Sequence, residues 1–349
     1  MAPRTAQETL PWSWYSDPEL LPREQERIFR RAWHYAGQAE RVARAGDYLT
    51  CRAGHVPVVV VRGRDEQLRA FLNVCRHRGS ILVEGNGNRE TLQCGYHAWT
   101  YDLDGRLRAA PRSQTEPGFE TEDIALLELR VETWGPLVFV TPDPEAPPLA
   151  ELLGPVPGYF AAAGIDVEAL SFRRRTEFEV GCNWKITVEN YLECYHCPIA
   201  HPGFSAVVDV TPEAYRLETH ELGSSQFGPL RRGSDPDGGS VLEGQFHWLW
   251  PLTKLYALPG PQNLVAGALV PLGPARTAGW FDYFFAADVS EDAVDELVAF
   301  DDQVGLEDRR LVESVQLGVG SGLLDGGRLL PRSERLLAHF QGLVREALD

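Results

Sequence analysis

The alternation of apolar and polar positions changes period several times along the chain, and each change marks an element. A short helix is expected around Pro22 to Trp33, within an N-terminal arm over residues 1–36 that packs with the C-terminal domain. From Gly46 to Val140 the pattern becomes a series of short β-type runs, including HVPVVVVRG, LRAFLNVC, TLQCGYHAWTY and GPLVFVTP, punctuated by Gly, Asp and Asn. These predict a small β-rich domain over residues 37–145. The stretch PDPEAPPLAELLGPVPG, residues 142–158, is rich in proline and reads as a linker into a second domain, residues 146–349.

That second domain opens with SFRRRTEFEVGCNW, where Phe172, Thr176, Phe178 and Val180 suit a strand with one buried face. In NWKITVENYLECYH the residues Trp184, Val188, Tyr191, Leu192 and Tyr195 recur at three- and four-residue steps, predicting a helix that Pro198 ends. The aromatic segments FHWLWPLTKLYAL, NLVAGALVPLG and GWFDYFFAADV read as strands. Ser290 offers an N-cap to a long helix through about Leu317, with a point of interruption near Gly305, and SERLLAHFQGLVREAL closes the chain as an amphipathic helix. The class is α+β: a β-rich domain, then a larger domain with an antiparallel sheet flanked by helices.

Composition narrows the partners. The 349 residues suffice for two buried cores. With 50 acidic against 33 basic residues the formal charge is −17, which repels phosphate backbones and anionic lipid, so neither nucleic acid nor a membrane is expected as partner. A small molecule is expected instead. The start, MAPRTAQETLPWSWYSDPELL, has no apolar run behind a basic segment, and a cytoplasmic protein is expected. Six cysteines are too few and too unevenly placed for a secreted disulfide framework, and four of them stand beside histidines, which points to metal.

Cys75-Arg-His77 and, sixteen residues later, Cys94-Gly-Tyr-His97 each contribute one cysteine and one histidine. A structural zinc site uses the same donors but pairs Cys with Cys and His with His at short spacing. One of each per loop is what a [2Fe-2S] centre needs when two thiolates hold one iron and two imidazoles the other, and exchanging thiolate for imidazole raises its potential. C-x-H-x16-C-x2-H, with Gly79 and the aromatic residues Tyr96, Trp99 and Tyr101, resembles the Rieske motif.

A second constellation lies in CYHCPIAH, residues 194–201. Adjacent His196 and Cys197 diverge at a helix end, so a four-ligand zinc knot is disfavoured, whereas His196 and His201 can reach one ion. Two imidazoles plus a carboxylate make the open face used for Fe(II) and O2. AFDDQVGLEDRRLVESVQ offers Asp301, Asp302, Glu307 and Asp308, and spacing does not choose among them.

NWKITVENYLECYHCPIAHPG and EDRRLVESVQLG resemble the two ligand-bearing segments of the large subunits of Rieske non-haem iron oxygenases, in the right order and over nearly the whole chain. The resemblance implies a helix-grip-like catalytic domain with Fe(II) on His196, His201 and Asp308, and a Rieske cluster on Cys75, His77, Cys94 and His97. It also implies a homotrimer in which Glu193, where Asp is commoner, bridges to His97 of a neighbouring subunit. O2 is then the cosubstrate. No flavin or NAD domain is visible, so NAD(P)H and flavin would serve only through a separate reductase or ferredoxin, and an excess of arginine over acid between Arg76 and Arg112 suits an acidic donor face.

Overall similarity is greatest to the branch acting on choline, glycine betaine and carnitine, which implies monooxygenation or demethylation of a quaternary ammonium compound. Phe204, Phe246, Trp248, Trp250 and Tyr256 are expected to supply an aromatic cage. The alternatives are a dioxygenase or other oxygenase for an aromatic or hydrophobic substrate, and a Rieske electron carrier without oxygenase activity. Cys194 and Cys197 are expected as small buried apolar residues with no catalytic role.

Overall fold

The valine run at 58–61 is continuous rather than alternating, and the fold explains why. In the computed structural model, which describes residues 7–231 and 240–349, the run lies in a strand buried on both faces. Val58 and Val60 pack with Ala70, Val138 and Val140 on one side, while Val59 and Val61 pack with Tyr48, Phe71, Cys75, Leu92 and Cys94 on the other. Each fully buried valine contributes on the order of 1.5–3 kcal/mol. The seven-stranded antiparallel sheet around it runs His34–Gln38, Leu137–Thr141, Glu128–Trp134, Leu68–Leu72, Val56–Arg62, Asp47–Ala53 and Asn86–Asn88. A three-stranded sheet, Leu92–Gln93, Thr100–Tyr101 and Leu107–Ala109, completes this unit.

Contacts divide the chain into residues 29–149 and residues 150–349, the latter joined by the described residues up to Ile28. The expected arm is therefore shared. Residues beyond Ile28 go with the first unit because His34–Gln38 pairs with Leu137–Thr141, and residues 1–6 lie outside the described residues. The proline-rich stretch at 142–158 is partly ordered into helix, with Leu149–Leu153 and the start of Val156–Ala162 inside it. Proline in a first helical turn loses no hydrogen bond, so Pro157 is accommodated as the second residue of Val156–Ala162.

The larger unit is built on a second seven-stranded antiparallel sheet: Ser171–Val180, Arg276–Phe285, Asn263–Gly273, Thr253–Ala257, Glu243–Leu249, Gly223–Pro229 and Arg216–His220. Four helices of eight residues or more are described in this unit: α1 (Leu20–Arg27), α2 (Trp184–Tyr191), α3 (Glu291–Val319) and α4 (Arg335–Leu348). Asn183 caps α2 by accepting the Lys185 N–H, and Ser290 caps α3 by accepting the Ala293 N–H. Two expectations are corrected. Helix α2 stops at Tyr191 rather than running to His196, and Pro198 sits in the first turn of a separate short helix, Cys197–Ala200. Helix α3 passes through Gly305 without a break.

Helix α2 is held from the N-terminal side by a buried ion pair. Lys185, 0 % exposed, donates to Glu24 of α1 at 2.5 Å, and Trp184 Nε1 donates to the other Glu24 oxygen at 2.9 Å. Burial pulls the Lys185 pKa down while Glu24 pushes it back up. Breaking such a pair from one side leaves an uncompensated buried charge. Glu24→Ala is therefore expected to cost this unit about 3–5 kcal/mol, read as a lower urea midpoint, with Glu24→Met/Lys185→Met recovering most of the loss. A cost within about 1 kcal/mol would contradict the arrangement.

Candidate metal centres and substrate cavity

Two loops of the first unit share one backbone pattern. The Cys75 N–H donates to the Ser80 carbonyl and the Cys94 N–H to the Trp99 carbonyl, each at 2.8 Å. The N–H groups of Gly79 and Ala98 return to the two cysteine carbonyls, each at 3.1 Å. Both closing residues are left-handed, with φ +75° at Gly79 and +56° at Ala98. Glycine adopts this freely, while at Ala98 it costs roughly 1–2 kcal/mol.

The pattern sorts the side chains. Cys75 and Cys94 turn inward and lie close enough to interact, whereas His77 and His97 are exposed, with ring centroids 4.7 Å apart and His77 stacked on Trp99. Buried thiols beneath exposed imidazoles form the asymmetric donor set that a mixed-ligand [2Fe-2S] cluster uses. Tyr101 Oη accepts the Arg76 N–H at 2.9 Å, which leaves its own proton for Cys75 Sγ at 3.3 Å.

In the larger unit, His196 precedes the helix Cys197–Ala200 and His201 follows it. Their Nε2 atoms come within 3.1 Å of each other, and Asp308 Oδ1 of α3 lies 2.9 Å from His201 Nε2 and 3.5 Å from His196 Nε2. Among the described residues this is the group of three donors that could hold one ion. His196 Nδ1 meets Glu193 Oε1 at 2.5 Å, and His201 Nδ1 meets Glu307 Oε2 at 2.8 Å. A carboxylate only accepts, so both Nδ1 atoms carry the proton and both neutral rings present a lone pair at Nε2. Facing lone pairs beside a carboxylate repel unless a cation stands among them. The donors therefore fit a divalent metal of the two-histidine, one-carboxylate type.

The surrounding charge favours the same occupant. With no ion between the donors, burial lowers the His196 pKa, yet hydrogen bonds to Asp308 and Glu193 outweigh it and raise it to about 9, so a proton then fills the place that a metal ion takes between neutral rings. Burial likewise pushes the Asp308 carboxyl up, but the histidine bonds hold it well below the usual carboxylate range. Asn190 Nδ2 also donates to Asp308 Oδ1 at 3.0 Å.

Helical geometry separates the four candidate acids. Asp301 and Asp308 are seven residues apart and share one face of α3 with Val304 and Gly305, all of which line the cavity beside the donors. Asp301 Oδ2 accepts from Tyr256 and Tyr283 at 2.6 and 2.7 Å, and burial raises its pKa to about 6. Glu307 reaches the outer nitrogen of His201, and Asp302 lines a different cavity. At Gly305 a Cβ would meet nothing within 4 Å, so its absence leaves open space at mid-helix.

The cavity measures about 120 Å³, and sites of ~150 Å³ accept a benzene-sized guest. Phe204, Phe246 and Tyr256 line it, with Phe246 stacked on Tyr256 at 6.0 Å and edge-on to Phe204 at 5.8 Å. Trp248 and Trp250 do not. Trp248 shares the strand face of Phe246 but stands two residues along, roughly 7 Å away, where it packs on Phe340 of α4. Trp250 lies beyond the strand end and contacts the same phenylalanine. Tyr191, Tyr215 and Phe281 line the cavity instead, along with Lys254, a lone lysine in an apolar run whose oddity the sequence already displayed. The expected free thiols are also corrected, since Cys194 and Cys197 form a disulfide across the turn, with Cα atoms 5.0 Å apart.

Comparison with known proteins agrees in order and extent. Residues 32–130 match the Rieske [2Fe-2S] domain, and residues 167–349 match the ring hydroxylating alpha subunit (catalytic domain). The chain is 33% identical to the carnitine monooxygenase oxygenase subunit of Acinetobacter pittii (strain PHEA-2), covering 97% of this chain and 94% of that one. It is 34% identical to the chloroplastic choline monooxygenase of Arabidopsis thaliana, covering 97% and 83%. The crystal structure of the quaternary ammonium Rieske monooxygenase CntA with its substrate L-carnitine superposes with a TM-score of 0.87 at 31% identity, covering 100% of this chain and 97% of that one.

Two outcomes follow from these geometries. Glu307→Gln should weaken Fe(II) retention about 10–100-fold against a chelator, with the visible spectrum of the cluster unchanged; unaltered retention would remove Glu307 from ring orientation. Tyr101→Phe should lower the cluster reduction potential, because it removes a hydrogen bond from a ligand sulfur, and an unchanged potential in redox titration would contradict that bond.

Proposed function

The chain belongs to the Rieske-containing ring-hydroxylating alpha-subunit family, and from that membership we propose that it is the terminal oxygenase component acting on a quaternary ammonium compound. Supporting this is one observation above others: aromatic faces and a half-buried carboxylate, Asp301, line the small cavity that adjoins the three metal donors. Quaternary nitrogen has no N–H to donate, so aromatic faces and nearby negative charge must recognise it. A cavity of about 120 Å³ suits a compact betaine better than a polycyclic substrate.

Cys75, Cys94, His77 and His97 would hold the [2Fe-2S] cluster, and His196, His201 and Asp308 the Fe(II). Bound there, these groups supply single electrons and activate O2. The chain's own residues set the stage. Glu193 and Glu307 fix the two rings by accepting hydrogen bonds from their Nδ1–H groups, and Asn190 fixes the carboxylate of Asp308. Glu193 also accepts the backbone N–H groups of Tyr195 and His196, so the turn carrying His196 is set by the acid that aims its ring. The aromatic wall excludes water from the carbon to be hydroxylated.

With O2, two electrons and two protons, one oxygen enters a C–H bond next to nitrogen and the other leaves as water. Where the hydroxylated carbon bears the quaternary nitrogen, the new hydroxyl then loses its proton, the carbon–nitrogen bond breaks with its electron pair going to nitrogen, and a tertiary amine and an aldehyde leave. The electrons come from a separate reductase or ferredoxin. In a homotrimer Glu193 would link His196 to His97 of a neighbouring copy, the route through which they arrive.

The test is substrate-dependent O2 uptake with a surrogate reductase across glycine betaine, carnitine, proline betaine and choline, with aromatic acids as controls. Release of formaldehyde or trimethylamine from a quaternary ammonium compound is expected, with choline scored by its aldehyde. Turnover of an aromatic acid alone would overturn the assignment.

A further inference from the structure

Lys254 is the one lysine or arginine among the described residues that line the cavity, and its setting is unusual. It is 7 % exposed, at the second position of the strand Thr253–Ala257, between the buried residues Thr253 and Leu255. Lysine is almost never buried unless paired. Here no hydrogen bond or ion pair meets Nζ among the described residues; its contacts are the faces of Tyr191, at 4.5 Å to the ring centre, and Phe281, at 6.0 Å. Burial lowers its pKa to about 8, with Asp308 and Asp301 pushing back through space.

The backbone makes room for it. Lys254 pairs across the sheet with Gly267, where a Cβ would stand 2.6 Å from the Phe281 ring and 3.4 Å from the Lys254 Cβ. The glycine lets both side chains turn into the cavity. Tyr256, two residues on and on the same face, carries the aromatic wall with Phe246. One cavity thus has an ammonium pole, Lys254 on Tyr191, and an aromatic pole with Asp301 behind it.

We infer that Lys254 receives a carboxylate of the substrate, so that the compound taken is a zwitterionic betaine, with the quaternary nitrogen on the aromatic pole and the carboxylate on Lys254. This rests on the quaternary ammonium function proposed above and deepens it. A free carboxylate would provide the partner that the buried ammonium lacks. Choline has the same cationic head and no anion, so it would add a second positive charge beside Lys254 and leave it unpaired. Lys254 acts here as a specificity-determining residue, binding a part of the substrate remote from the reacting carbon.

Calorimetric titration of the holoenzyme with glycine betaine, carnitine, choline and benzoate tests this without turnover. The wild type should bind a betaine at least about tenfold more tightly than choline, the effect of one charge-assisted contact. Lys254→Met should weaken betaine binding at least about tenfold while leaving choline unchanged or tighter, and Lys254→Arg should retain the preference. Equal affinity for choline and the betaines in the wild type, or an equal loss for both in Lys254→Met, would overturn the inference, because a purely structural lysine moves all ligands together. Should Lys254→Met fail to fold, the wild-type preference and Lys254→Arg still decide. Benzoate binding that is lost in Lys254→Met, with no ammonium compound bound, would keep the carboxylate role and overturn the ammonium function.

Discussion

Two imidazole nitrogens 3.1 Å apart beside a carboxylate are an arrangement that proteins avoid unless a cation occupies the space between. Much of the larger unit follows from this constraint. The turn from Glu193 to His201 is short, set by backbone donation to Glu193 and closed by a disulfide and a proline helix, so the two rings are presented close together. The third donor comes from more than a hundred residues later, on a helix long enough to bring Asp301, Gly305 and Asp308 onto one face. The outer nitrogens of both rings are taken by carboxylates, which aims each lone pair. Helix α2 delivers Asn190 to the same carboxylate, and buried Lys185 ties that helix to the N-terminal segment.

The cavity beside the donors owes its shape to what is absent as much as to what is present. Gly305 leaves space at the middle of α3, and Gly267 gives Lys254 and Phe281 room to turn inward. Each glycine weakens its element by about 0.5–1 kcal/mol relative to alanine; at Gly267 the Phe281 ring leaves no room for a Cβ, whereas at Gly305 a Cβ would meet nothing within 4 Å. The aromatic residues that remain offer faces rather than donors, with a half-buried acid and a buried ammonium added. Such a site distinguishes ligands by charge distribution more than by hydrogen-bond pattern.

Much of this was legible in the sequence. Both cysteine–histidine loops and the pair His196 and His201 stood out because their residue types and spacing serve little else. The two-domain α+β order could be read from the change of period near Gly46 and again after Pro142. The third donor could not be chosen by spacing alone, since Asp301, Asp302, Glu307 and Asp308 lie close in sequence and only the helix face separates them; resemblance to a family pointed to Asp308. The aromatic residues were harder. Phe246 and Trp248 have the same parity on one strand, and only the position of α4 shows that the second is covered by Phe340. The disulfide between Cys194 and Cys197 depends on a turn whose helical boundaries the apolar period misplaced, because that period continued to Tyr195 after the helix had ended at Tyr191. Lys254 was missed: its charge in an apolar run was the one signal, and its role depends on Gly267 across the sheet.

The central claim is that His196, His201 and Asp308 hold a mononuclear iron distinct from the [2Fe-2S] cluster. Iron content after anaerobic reconstitution and desalting tests it most directly, measured on the wild type, His201→Ala and Asp308→Ala alongside the visible spectrum of the cluster. Three irons per wild-type chain are expected, falling to two in each variant with the cluster spectrum intact. Two irons in the wild type, or three in both variants, would contradict the claim.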